Sequence, residues 1–142
     1  MKAITLRQPW AGLLVLGFKK NETRSWPTKH RGEITVTSSK KMEKDGIALL
    51  KWLSENVFGF SVGSERYKTC SILGVALGTV EITDVHSSND AKAMMEHVTN
   101  SAAELRFGNY EPDRYFYTCI NPVLFQEPFP VKGSLNVWKM PE

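Results

Sequence analysis

Apolar and polar residues alternate at the start of the chain, Ile4 and Leu6 against Thr5 and Arg7, which is the period of a half-buried strand. Gln8-Pro9 then sets a helix entry, because proline is tolerated in a first turn whose N–H has no intrahelical partner. Residues 10–16 are apolar all round, so the predicted helix there is buried, and Gly17 stands where a C-terminal cap belongs. Further strands are predicted over 20–26, 33–38, 72–85, 115–120 and 135–138, with Ile34 and Val36 facing the core and Gly74 and Gly78 marking bends or bulges. A second helix over 44–57 carries Ile47, Leu50, Leu53 and Val57 at helical spacing with Trp52 at its flank. A third, over 89–105, offers Ala91, Met94, Met95, Val98, Ala102 and Leu105 as inward positions. The segments 27–32 and 59–69 read as loops.

Strands separated by single helices and varied loops fit an α+β plan in which a mostly antiparallel sheet curls around one core. A length of 142 residues with 42% hydrophobic content supports one domain over 1–142, and 23% charged residues exclude a disordered chain. No secretory pattern opens the sequence and no apolar run reaches the ~18 residues of a membrane span, so a soluble, cytoplasmic protein without membrane association is expected. Cys70 and Cys119 adjoin strand-like segments and read as buried thiols rather than a bridge. His30, His86 and His97 lack metal-ligand spacing, and no phosphate-cradling or dinucleotide loop is present, so no metal or cofactor is expected.

The net charge of +3 conceals an asymmetry: residues 1–51 hold eleven Lys and Arg against four Asp and Glu, or +7, which leaves −4 for the remainder. A positive field of this kind is what a polyanion-binding face requires, because cations that approach phosphates release counterions. Within that third, residues two apart on a strand share a face, so Lys20, Glu22, Arg24 and Trp26 point one way, and Lys19 can join them from the preceding turn.

The run Leu6-Arg7-Gln8-Pro9-Trp10-Ala11, then Gly17-x-Lys19-x-x-Glu22-x-Arg24-x-Trp26, then His30-Arg31-Gly32 resembles the ASCH family, whose G-x-K-x-x-E-x-R pattern is matched at every specified position. Thr79-Val80-Glu81-Ile82-Thr83, Asn121-Pro122 and Phe129-Pro130-Val131-Lys132-Gly133 extend the likeness over nearly the whole chain. Within the family it resembles the branch found at the C-terminus of a eukaryotic coactivator and in free-standing bacterial and phage proteins. The resemblance implies a PUA-like, mostly antiparallel β-barrel with flanking helices and a cleft that receives the polar side chains of this segment.

A nucleobase offers hydrogen-bonding edges and a flat face, and its phosphate offers charge. Lys19 and Arg24 can meet phosphate or base acceptors, Glu22 can accept from an exocyclic amine, and Trp26 or Trp10 can stack. The same residues also admit a plainer reading, with Glu22 and Arg24 as a surface ion pair and both tryptophans in the core. Arg31 in the basic turn 29–31, Lys40 beside Lys41, and Lys132 in the late loop are candidate backbone contacts. The expected partner is therefore RNA, single-stranded DNA or a nucleotide. A protein partner is the third option, for which no exposed apolar stripe argues.

Catalysis is the alternative. In the branch of the family that acts as an acetylcytidine amidohydrolase, a Lys, a Thr three residues later and a strand Glu form the active site. The matching positions here are Lys19, Glu22 and Glu81, with Glu81 implied to face the cleft near Lys19. The hydroxyl is absent, which leaves Glu22 or Glu81 as a general base toward water and Lys19 to stabilise negative charge.

Overall fold

Ile4 and Leu6 do face the core, on a strand β1 (Lys2–Gln8) that runs parallel to β3 (Gly32–Met42) with Ile4 opposite Val36. The structure is a computed structural model and describes residues 1–141. β3 pairs antiparallel with β4 (Val75–Ser87), β4 with β5 (Tyr115–Pro130), and β5 with β2 (Asn21–Arg24), while β6 (Val137–Lys139) pairs with the free side of β1. The order is β2-β5-β4-β3-β1-β6 in one mixed sheet.

The sheet curls but does not close into the expected barrel. Its outermost strands, β2 and β6, have only 4 and 3 residues and do not pair with each other. Where a ladder would have sealed the gap, a side chain bridges it: Arg24 Nη2 on β2 donates to the Thr5 carbonyl on β1 at 2.8 Å. That open seam positions the site described below.

Two clusters share α1 (Trp10–Val15). Leu14 and Val15 pack with Ile34, Val36, Val80, Ile82 and Tyr117 inside the sheet, while Leu13 packs with Leu50, Leu53, Phe60 and Phe107 beyond it. A helix covered on both sides must be apolar all round, as its sequence is. Gln8, just before it, is fully buried yet satisfied: its amide donates to the carbonyls of Thr69 and Ile72 and accepts from Gly12 N–H. The Gln-Pro-Trp part of the sequence pattern therefore has a structural use, tying α1 to the segment before β4.

Helix α2 (Gly46–Leu53) continues as a wider π turn over Ser54–Phe58, and Leu50 and Leu53 are buried while Ile47 and Val57 are exposed. The segment expected as a loop contains a short helix, α3 (Glu65–Thr69), whose N-cap Ser64 accepts from Tyr67 N–H. The third predicted helix is broken into α4 (Ala91–Met94), a π turn over Met95–Thr99, and α5 (Ala102–Phe107). The extra residue of the π turn rotates the helical phase, so Val98, Glu104 and Phe107 are buried and Met95 and Leu105 are not.

β5 runs ten residues past its expected end at 120, and its second half leaves Ile120, Val123, Leu124 and Phe129 exposed. Pro122, Pro128 and Pro130 sit in this stretch, where only β4 pairs with β5 and a missing N–H is tolerated. The expectation of no exposed apolar stripe is thus corrected: alternation cannot reveal a strand with one unpaired edge. Cys70 and Cys119 are free thiols, both pushed up to about 12 by burial. No helix among the described residues is long and apolar enough to cross a membrane.

Candidate functional site

The open seam between β1 and β2 widens into a cleft of about 1030 Å³. Its floor is built from the sequence pattern itself. Gly17 adopts a left-handed φ of 83° that ends α1, and Phe18 and Lys19 N–H both donate back to the Leu13 carbonyl at 3.0 Å. The turn delivers Lys19 inward, where it is only 2% exposed.

Lys19 Nζ donates to the Asn21 carbonyl and, at 3.1 Å, to Glu22 Oε1. The other oxygen of Glu22 accepts from Arg24 Nε at 2.9 Å. Glu22 and Arg24 share a strand face, two residues apart, and Glu22 is the central member of a three-charge chain. Burial alone would raise the Glu22 carboxyl, but the charges and hydrogen bonds of Lys19 and Arg24 overcome it and hold the group below its ordinary 4.5. Arg24 also lies over the Trp26 ring, 5.6 Å from its centre, and Tyr117 meets the same indole edge-on.

The rim is different. Arg7 on β1, Lys40 and Lys41 at the end of β3, Arg106 on α5, Arg114 before β5 and Lys132 in the last loop all line the cleft. With Lys19 and Arg24 this makes eight cations against two carboxylates, Glu22 and Glu43. Arg7 stands 3.9 Å from Glu43, but Lys40, Lys41, Arg106 and Lys132 have no carboxylate partner among the described residues. Trp10, packed against Phe107 at 6.0 Å, is half-buried and contributes to the wall, so it is core and cleft at once.

Of the residues expected at the site, Lys19, Glu22, Arg24, Trp26, Lys40 and Lys132 are thus brought together. Arg31 is not: it bonds the Thr28 and His30 carbonyls and faces Asp84 at 3.5 Å, away from the cleft. Glu81 is not either. Alternation turns it away from the buried Val80 and Ile82, and there its Oε2 accepts from Asn121 at 3.0 Å and its strand neighbour is Glu33. No hydrogen bond or ion pair joins Glu81 to Lys19, whose ammonium is occupied by Asn21 and Glu22. Lys20, expected on the same face as Glu22, lies outside the cleft and is exposed.

Three cleft cations, Arg106, Arg114 and Lys132, come from the acidic remainder of the chain, and only Lys132 was suggested by the sequence. A further residue that spacing did not suggest is Glu104 on α5. It is 3% exposed, its Oε1 accepts from Lys20 N–H at 2.5 Å, and its Oε2 has no hydrogen-bond partner. Burial raises its carboxyl above the ordinary 4.5, against the backbone N–H of Lys20 and the charge of Lys19. It fixes the turn between Lys19 and β2. Among the described residues no group of His, Cys, Asp and Glu is placed to hold a metal ion.

Residues 4–129 match the ASCH domain. The chain belongs to the ASCH domain family. Activating signal cointegrator 1 from Homo sapiens is 28% identical to this ASCH domain over 96% of the chain, and the Mus musculus protein of the same name 26% identical over the same share. The chain spans 22% of the length of each. Among solved structures, a point mutant of ZmASCH from Zymomonas mobilis matches 91% of this chain and 74% of its own with a TM-score of 0.53 at 11% identity, a likeness of fold that accords with a PUA-like plan.

Proposed function

We propose that this ASCH domain binds single-stranded nucleic acid, RNA or DNA, along its cleft. The observation that carries this reading is the split of charge: Lys40, Lys41, Arg106 and Lys132 on the rim have no carboxylate partner among the described residues, whereas Lys19 and Arg24 on the floor share Glu22. Unpartnered, exposed Lys and Arg keep their full attraction for phosphates and release counterions on contact. A buried cation already bonded to a carboxylate has little to offer a phosphate. The backbone is therefore held by Arg7, Lys40, Lys41, Arg106, Arg114 and Lys132, and the floor meets the bases. A cleft of about 1030 Å³ has room for more than one nucleotide.

The test is a fluorescence anisotropy titration of labelled single-stranded RNA, single-stranded DNA and duplex DNA at about 50 and about 200 mM salt. Three phosphate contacts weaken single-strand binding roughly twentyfold across that interval, and further contacts weaken it more. Affinity for a single strand that is indifferent to salt, or no binding to any of the three, removes this reading.

A further inference from the structure

The cleft carries one apolar group that neither the core nor the floor uses. Leu135 lines the mouth and is 86% exposed, more than any other large apolar side chain among the described residues. A single exposed leucine is ordinary on a protein surface. This one is held out by its surroundings. The loop that bears it, between β5 and β6, lies on Thr5: a Cβ at Gly133 would meet the Thr5 side chain at 2.8 Å, and Ser134 N–H and Trp138 Nε1 both point to Thr5 Oγ1, at 3.4 and 3.0 Å. On its far side Asn136 takes a left-handed φ of 60°. Between these two constraints Leu135 projects from a braced loop.

Thr5 also fixes the position of that loop relative to the floor, because its carbonyl accepts from Arg24. Leu135 is thus tied through one residue to the Arg24–Trp26 pair. One face of Trp26 is covered by Arg24 and its edge is met by Tyr117, so the indole is a poorer stacking platform than its position in the sequence pattern suggests. A base entering past the cationic rim still has an apolar face to shed water from. The exposed apolar group waiting beside Lys132 at that mouth is Leu135.

Resting on the nucleic-acid reading above, we propose that Leu135 packs against the face of an unstacked base and so makes the cleft select unpaired strands over continuous duplex. In a duplex the base faces are already stacked on their neighbours, and Leu135 gains nothing there. Phosphate contacts by the rim carry no such preference.

The experiment compares the parent, Leu135→Ala, Leu135→Phe and Lys132→Ala on labelled oligothymidylate and oligouridylate, on abasic counterparts and on blunt duplex. Leu135→Ala is expected to weaken binding to the intact single strand roughly fivefold, with the salt slope unchanged and the duplex unaffected, and Leu135→Phe to restore it. On the abasic strand Leu135→Ala is expected to match the parent, because the base it would touch is gone. The DNA and RNA arms show in which sugar the contact is made. If Lys132→Ala weakens binding while Leu135→Ala does not, or if Leu135→Ala loses equally on intact and abasic strands, the proposal for Leu135 fails and the nucleic-acid reading stands. If the parent binds none of these probes, both fall.

Discussion

The floor and the rim of the cleft hold the same kinds of side chain in opposite electrostatic conditions. On the floor, Lys19, Glu22 and Arg24 are packed below the surface, and both cations lie within 3.1 Å of the one carboxylate they share. On the rim, Lys40, Lys41, Arg106 and Lys132 stand in water without a carboxylate partner among the described residues. The contrast teaches that one cluster of Lys, Arg and Glu can be shape and another can be attraction. The floor holds β2 against β1 across the open seam, and the rim supplies the field.

The contrast is broken most forcibly at Glu22. Glu22→Gln leaves Lys19 and Arg24 without their counter-charge and is expected to destabilise the fold by about 3 to 5 kcal/mol in a urea titration. An effect below about 1 kcal/mol would mean that the floor is not an ion-paired brace. Because the Glu22 carboxyl is held below 4.5 in the folded state, its contribution is present above about pH 4.5 and is lost as pH falls through the lowered value. The Gln variant should lack that part of the acid limb. Glu104 carries the opposite sign. Its carboxyl is raised on folding, so its contribution is full below 4.5 and declines as pH rises through the folded-state value. Glu104→Gln keeps an acceptor for Lys20 N–H and is expected to be about 1 kcal/mol more stable than the parent at pH 7, with the difference vanishing near pH 4. Equal stability of the two at both pH values would contradict this. Smallest in stability is the rim, where Lys40→Ala should shift unfolding by less than about 0.5 kcal/mol yet weaken single-strand binding about fivefold.

Much of the floor was legible in the sequence because it is local. A glycine that permits a left-handed turn, a lysine two residues later and a strand with Glu22 and Arg24 on one face need only short-range geometry. Membership of the ASCH family and the mixed α+β plan followed from the same blocks. What was not legible is what the fold assembles from afar. Arg106, Arg114 and Leu135 carry no mark in their own neighbourhoods and become neighbours of the seam only when α5 and the last loop pack there. Glu104 was hidden by the π turn, which shifts the phase of its helical segment and turns a charged position inward. Glu81 shows the limit of alternation. The strand period sends it to the face opposite the buried Val80 and Ile82, where it accepts from Asn121, whereas its place at the cleft was implied by the resemblance alone. The barrel failed to close for a related reason: pairing across the seam depends on the lengths of β2 and β6, and short strand ends are poorly defined by hydrophobic pattern.

The most direct test of an ion-paired floor beneath an unpaired cationic rim is the salt dependence of single-strand binding in the triple variant Lys40→Ala, Lys41→Ala, Lys132→Ala beside the parent. Each lost phosphate contact removes about 0.7 from the slope of log affinity against log salt, so the account predicts a slope flatter by about 2 with the unfolding midpoint unchanged. A triple variant that keeps the parental slope would place the attraction elsewhere and contradict the division between floor and rim.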